Sequence, residues 1–258
     1  MQPHRSRYWL TPPVDRETFE QEVQTVCDCY HAAAALAAQG VHTVSTDEKP
    51  MQVLERAHPG LPLRPAHVER REFEYVRHGT QCLIANLDVP TGRVVAPSLG
   101  PTRTEEDFVA HIAQTVATDP AADWIFIVDN LNTHRSAGLV EWVARACRIT
   151  TDLGVKEQCG ILASMATRGA FLGDPAHRLR FVYLPPHTSW LNQVEIWLGT
   201  LTRLVLRRGN HASDAAQRHQ VLAFIAHYNR TMAKPIKWTY TGRDVPVASA
   251  PLTRARAA

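Results

Sequence analysis

Apolar residues Phe19, Val23, Val26, Cys27 and Tyr30 recur every three or four positions behind Asp15, which predicts a capped amphipathic helix closed by Gly40. The period then changes. Val41 to Asp47 alternates apolar and polar positions and is rich in β-branched residues, predicting a strand that stops at Pro50 and carries Asp47 at its C-terminal end. Residues 51–70 show little periodicity and predict a loop or short helix. Residues 73–78, 80–89 and 93–96 predict strands, with Gly79 and Pro90-Thr91-Gly92 as the turns of an antiparallel meander.

Thr104-Glu105-Glu106-Asp107 has the spacing of a capping box and predicts a helix to about Thr118. Trp124 to Asp129 is apolar on both faces, as a buried central strand is, and it too ends on an aspartate. Ser136 opens a helix through Arg148, a second is predicted over 159–172, and Asp174-Pro175 breaks the pattern. Leu179 to Leu184 predicts the last strand, stopped by Pro185-Pro186. Leu191, Val194, Trp197, Leu198, Leu201, Leu204 and Val205 then mark a helical stripe ending at Gly209, and Ser213 caps a final helix to about Tyr228. This order predicts an α/β chain with a mixed five-stranded sheet flanked by helices. Three strands are antiparallel, and right-handed crossovers set the last two parallel to the first.

Composition narrows the function. The 258 residues are 45% hydrophobic and 21% charged, enough apolar material for one large domain and too much for disorder. No apolar run has the length of a membrane span, and the polar N-terminus lacks a signal-peptide stretch. Five scattered cysteines form no disulfide framework and favour a reducing cytoplasm; Cys27-Asp28-Cys29 lacks zinc-ligand spacing. Dinucleotide and P-loop glycine motifs are missing. Charge is uneven: from residue 200 onward ten basic residues face two acids, a net +8 that leaves −5 on residues 1–199. A basic segment joined to an acidic body predicts a polyanion partner. Arg203, Arg207, Arg208, Lys234 and Lys237, with Trp238 and Tyr240 interleaved, are candidates to hold a phosphate backbone. Trp190 and Trp197 flank the apolar stripe and are assigned to the core.

In open α/β sheets chemistry gathers at the carboxyl ends of strands. Asp47 and Asp129 end two strands that pair if they are neighbours, and Glu195 lies on the helix after the last strand, at the border of its buried face. Each acid alone could be a cap or an ion-pair partner. Three carboxylates brought together repel one another unless a cation sits among them, and hard oxygen ligands select Mg2+ or Mn2+. Two such ions can activate a nucleophile and stabilise a departing oxygen in phosphodiester chemistry. His134, at a strand-to-helix turn, could contact the scissile phosphate, orient a ligand or simply cap the loop. Asn192, three residues before Glu195, could hold the carboxylate or a bound water, and Lys49 is better placed than Glu48 to touch a phosphate.

Three blocks carry a family resemblance: Val44-Ser45-Thr46-Asp47-Glu48-Lys49-Pro50, Val128-Asp129-Asn130-Leu131-Asn132-Thr133-His134 and Ser189-Trp190-Leu191-Asn192-Gln193-Val194-Glu195-Ile196-Trp197. Together they resemble the signature blocks of bacterial insertion-sequence transposases of the mariner superfamily. The resemblance spans about residues 40–240, and His4-Arg5-Ser6-Arg7-Tyr8-Trp9-Leu10 is similar to the linker entering that domain. It implies an RNase H-like fold and a catalytic, metal-holding triad of Asp47, Asp129 and Glu195. One ion is then shared by Asp47 and Asp129 and the other by Asp47 and Glu195. Transposon ends are nicked, and the freed 3′-hydroxyl joins target DNA. It also implies a homodimer acting at the bacterial nucleoid.

On this reading residues 1–40 lead in, 41–240 form the catalytic domain with an inserted segment at about 147–174, and 241–258 form a basic flexible tail. Between Asp129 and Glu195 there is room for two helices and a strand, against about one helix and one strand in the common pattern, but no Asp or Glu lies between Glu157 and Asp174, and neither has the context of Glu195. No space remains before the linker for the family's end-reading helix-turn-helix region. The alternative is therefore a truncated, catalytically silent copy that binds DNA or a transposase and inhibits transposition.

Overall fold

The first helix, α1 (Arg16–Ala37), starts as its cap predicts, with Asp15 accepting from the backbone N–H of Thr18 at 3.0 Å. The structure, a computed structural model, describes residues 15–242; the expected linker at 1–14 and the tail from 243 onward lie outside the described residues. β1 (Val41–Arg56), β2 (Tyr75–Asp88) and β3 (Val94–Gly100) form the meander, followed by α2 (Glu105–Val116) with its Thr104–Asp107 capping box. β4 (Asp123–Val128), α3 (Ala137–Ala146), α4 (Met165–Leu172), β5 (Leu179–Tyr183), α5 (Gln193–Leu201) and α6 (Asp214–Thr231) complete the chain.

The sheet order is β3-β2-β1-β4-β5. β1 is antiparallel to β2 and parallel to β4, from Val41 opposite Asp123 to Ser45 opposite Ile127; β5 is parallel to β4. This is the mixed five-stranded sheet expected above, with β1, β2 and β3 antiparallel and β4 and β5 parallel to β1. One face carries α2, α3 and α4 over Val44, Phe108, Ile112, Phe126 and Phe181. The other carries α1, packed on Ile127 and Val182, and α5 with α6, packed on Leu83, Leu87 and Val94. Among the described residues no helix is long and apolar enough to cross a membrane.

Several boundaries differ from expectation. β1 does not stop at Pro50 but runs to Arg56, so Asp47 is inside the strand. Its pairing with β4 ends at Ser45, and from there one side of β1 is an edge where a proline's missing N–H costs no ladder bond. The expected strands at 73–78 and 80–89 are one strand, and Gly79 sits not at a turn but at a bulge, where Val53 pairs with Gly79 and Leu54 with Arg77. The helix expected from 159 starts at Met165 under a Ser164 cap. Residues 154–160 turn back on themselves instead. Gly154 and Gly160 both have positive φ, and a Cβ on Gly154 would come within 2.2 Å of the Cys159 carbonyl oxygen. After α5 the backbone widens into a π turn at Thr202–Leu206.

β1 is tied into both layers by buried polar pairs. On one face Thr46 donates to Asn86 Oδ1 at 2.6 Å, and Asn86 Nδ2 donates to Thr115 of α2 at 2.7 Å. On the other, Ser45 donates to Asn192 Oδ1 at 2.5 Å and accepts from Val194 N of α5 at 2.9 Å.

Candidate active site

Because β1 and β4 are parallel neighbours, Asp47, two residues beyond their last pair, and Asp129, one residue beyond β4, emerge at the same edge of the sheet. α5 crosses this edge and brings Glu195 in its first turn, where an acid suits the positive end of the helix. Its start is fixed by Tyr30 of α1, whose buried hydroxyl donates to the Leu191 carbonyl at 2.8 Å and accepts from Gln193 N at 3.3 Å. Asp47, Asp129, Glu195 and Asn192 line one cavity of about 410 Å³, together with His187, a non-glycine residue at φ 64.

The acids differ in environment. Asp47 accepts from its neighbour's backbone, Glu48 N to Oδ1 at 2.7 Å, and from Asn192 Nδ2 to Oδ2 at 3.0 Å. Burial, then the nearby charges of Asp129 and Glu195, nevertheless push its carboxyl up to about 7. Burial also disfavours ionised Asp129, but hydrogen bonding and charge from His134 outweigh it and hold that carboxyl below its ordinary value. Glu195 is exposed.

His134 is not at the surface to meet DNA. Its side chain is fully buried, with Nδ1 2.8 Å from Asp129 Oδ1 and Nε2 2.9 Å from Glu48 Oε1. Burial favours the neutral ring, yet the two carboxylates raise its pKa to about 9, so it bridges them as a cation. Glu48, 3% exposed, points to the face opposite Asp47 and was missed by sequence reasoning. The available signal was strand alternation, which sets an acid beside Val44 and Thr46 on an otherwise buried face, where it requires a partner.

Asn192 is 1% exposed and holds Asp47 rather than Glu195. Lys49 is half-buried, while Arg203, Arg207, Arg208, Lys234 and Lys237 are exposed. Trp197 is buried as expected, but Trp190 is half exposed and meets Tyr240 edge-on at 5.4 Å. Trp238 packs on Tyr30 at 4.7 Å between ring centroids, so it braces α1 instead of offering a free face to a nucleic acid.

Among the described residues no three His, Cys, Asp or Glu side chains are gathered into a metal-ligand cluster. The donor chemistry of the cavity nonetheless fits a hard divalent cation: three carboxylates border one space, and Asp129 and Glu195 add to burial in raising the Asp47 carboxyl.

A family model described as DDE superfamily endonuclease matches residues 42–217. No curated protein matches the chain in sequence. Among solved structures it is similar to the Mos1 mariner paired end complex with Mn, at 13% identity and TM-score 0.46, covering 86% of this chain and 59% of that one. It is also similar to the catalytic domain of Mos1 mariner transposase, at 12% identity and TM-score 0.43, covering 84% and 85%. The chain thus spans 59% of the length of the protein in the paired end complex.

Proposed function

Since the chain belongs to the DDE superfamily endonucleases, we propose that it is a transposase catalytic domain that cleaves DNA at transposon ends and joins them to target DNA. The observation that supports this best is the shared cavity of Asp47, Asp129 and Glu195. These three are the proposed catalytic residues and the holders of Mg2+ or Mn2+. Two such ions, when bound, would activate the attacking oxygen and offset charge on the departing 3′ oxygen.

The chain's own residues prepare that chemistry. Asn192 and the Glu48 N–H fix both oxygens of Asp47, while His134 and the Leu131 N–H, at 2.9 Å, fix Oδ1 of Asp129. Glu195 is the exposed member, free to close on substrate and cation from the helix side. Lys49, two residues along β1 from Asp47, and Arg203, Arg207 and Arg208 beyond α5 are proposed to neutralise DNA phosphates, with Lys234 and Lys237 extending that path. DNA as substrate, action as a homodimer and a cytoplasmic, nucleoid-associated location belong to the same proposal.

The test is incubation of the chain with labelled terminal-repeat DNA and Mg2+ or Mn2+, beside Asp129→Ala. Metal-dependent nicking that disappears in the variant supports the enzyme. DNA retention without cutting would instead identify a silent copy.

A further inference from the structure

Glu48 and His134 are sealed away from the cavity, so neither can touch DNA or a cation in it. Burying an acid and an imidazole together is a poor way to stabilise a fold, since desolvation consumes most of what the pair returns and apolar residues of similar size serve as well. Their geometry has a different consequence. One ring nitrogen of His134 is bound to each carboxylate, the ring packs on Phe108 at 4.2 Å between centroids, and the backbone carbonyl of His134 accepts from the Tyr183 hydroxyl at 2.9 Å. With the Leu131 N–H also on Oδ1 of Asp129, the orientation of that carboxylate is set, and Oδ2 has no partner among the described residues.

Glu48 is the chain neighbour of Asp47. Alternation along β1 turns Asp47 toward the α5 layer and Glu48 toward the α2 layer, where it reaches Asp129 through His134. Two successive residues of one strand therefore fix the positions of two acids that belong to different strands.

We propose that Glu48 and His134 are positioning residues that set Asp129 against Asp47 for divalent-cation binding. This rests on the metal site proposed above. Outer partners of metal ligands typically contribute 10–100-fold in metal affinity.

The experiment is Mn2+ titration of the full chain by calorimetry, with thermal melts in EDTA as a folding control. The proteins are the parent, Glu48→Gln, His134→Gln, the double variant and Asp129→Asn. Each single brace variant should bind Mn2+ about 10–100-fold more weakly, and the double variant no more weakly than either single one, because Glu48 acts only through His134. Parent-like Mn2+ affinity in Glu48→Gln, or additive losses in the double variant, would overturn the brace while Asp129→Asn still abolishes binding. Parent-like binding by Asp129→Asn would instead remove the metal site itself. If a brace variant melts as an unfolded chain, nitrogen-15 NMR of the parent decides. The His134 ring, assigned through its contact with Phe108, should shift on Mg2+ addition; a His134 ring indifferent to Mg2+ would refute the proposal.

Discussion

Replacing Asp47 by asparagine should stabilise the metal-free protein at pH 8 and destabilise it at pH 4. The Asp47 carboxyl lies at about 7 in the fold against an ordinary 3.8. The folded chain therefore binds this proton more tightly than the unfolded chain does. Stability falls as pH rises from about 4 to about 7 and stays low above that. At about 1.4 kcal/mol per pH unit the ionised residue costs the fold about 4 kcal/mol. Asparagine removes this cost, but its amide turns a donor toward Asn192 Nδ2, which now donates to Asp47 Oδ2 at 3.0 Å. Losing a hydrogen bond to a charged group subtracts about 2 kcal/mol. The net is a gain of about 2 kcal/mol at pH 8, a rise of roughly 4–8 °C in Tm for a chain of this size. Below pH 4 the parent is protonated and only the loss remains. Urea denaturation of both proteins in EDTA, from pH 4 to 8, measures the difference directly. His134, raised to about 9, adds stability that is complete below 6.5 and disappears as pH climbs through 9, so the comparison between variant and parent is what isolates Asp47. A difference that does not change with pH would refute the electrostatic reading of the cavity.

Two further outcomes are expected. Changing Arg207 and Arg208 together to glutamine should weaken DNA binding and reduce the slope of log affinity against log salt by about 1.8; an unchanged slope removes both from the interface. Tyr30→Phe should cost about 2–4 kcal/mol in urea denaturation, because the Leu191 carbonyl and the Gln193 N–H at the start of α5 both lose their buried partner. A loss below about 0.5 kcal/mol would show that this contact does not anchor the helix.

The parts of the fold that sequence periodicity could resolve are those whose signals are local. Asp15, the Thr104–Asp107 box, Ser136 and Ser213 all cap the helices they were expected to cap. Pro50 and Gly79 misled because their meaning depends on which strand stands alongside: proline breaks an inner ladder but not an edge, and glycine serves a bulge as well as a turn. The convergence of Asp47, Asp129 and Glu195 on one cavity was legible because β1 and β4 are parallel neighbours and α5 starts over their shared edge. His134 and Glu48 were not. Their pairing spans 86 positions and passes behind the sheet, where no single stretch of chain announces it.

The opposed anchors of Ser45 and Thr46 have a consequence for how this molecule can vary. Sliding β1 by a single position would strand Asn192 and Asn86 at once, in separate layers, and swap the directions in which Asp47 and Glu48 face. The fold therefore indexes its chemistry like a key with teeth on both edges. Insertions or deletions between Val41 and Asp47 are closed to evolution and to engineering, while the exposed connection between β1 and β2, after Arg56, can lengthen or shorten without moving a carboxylate.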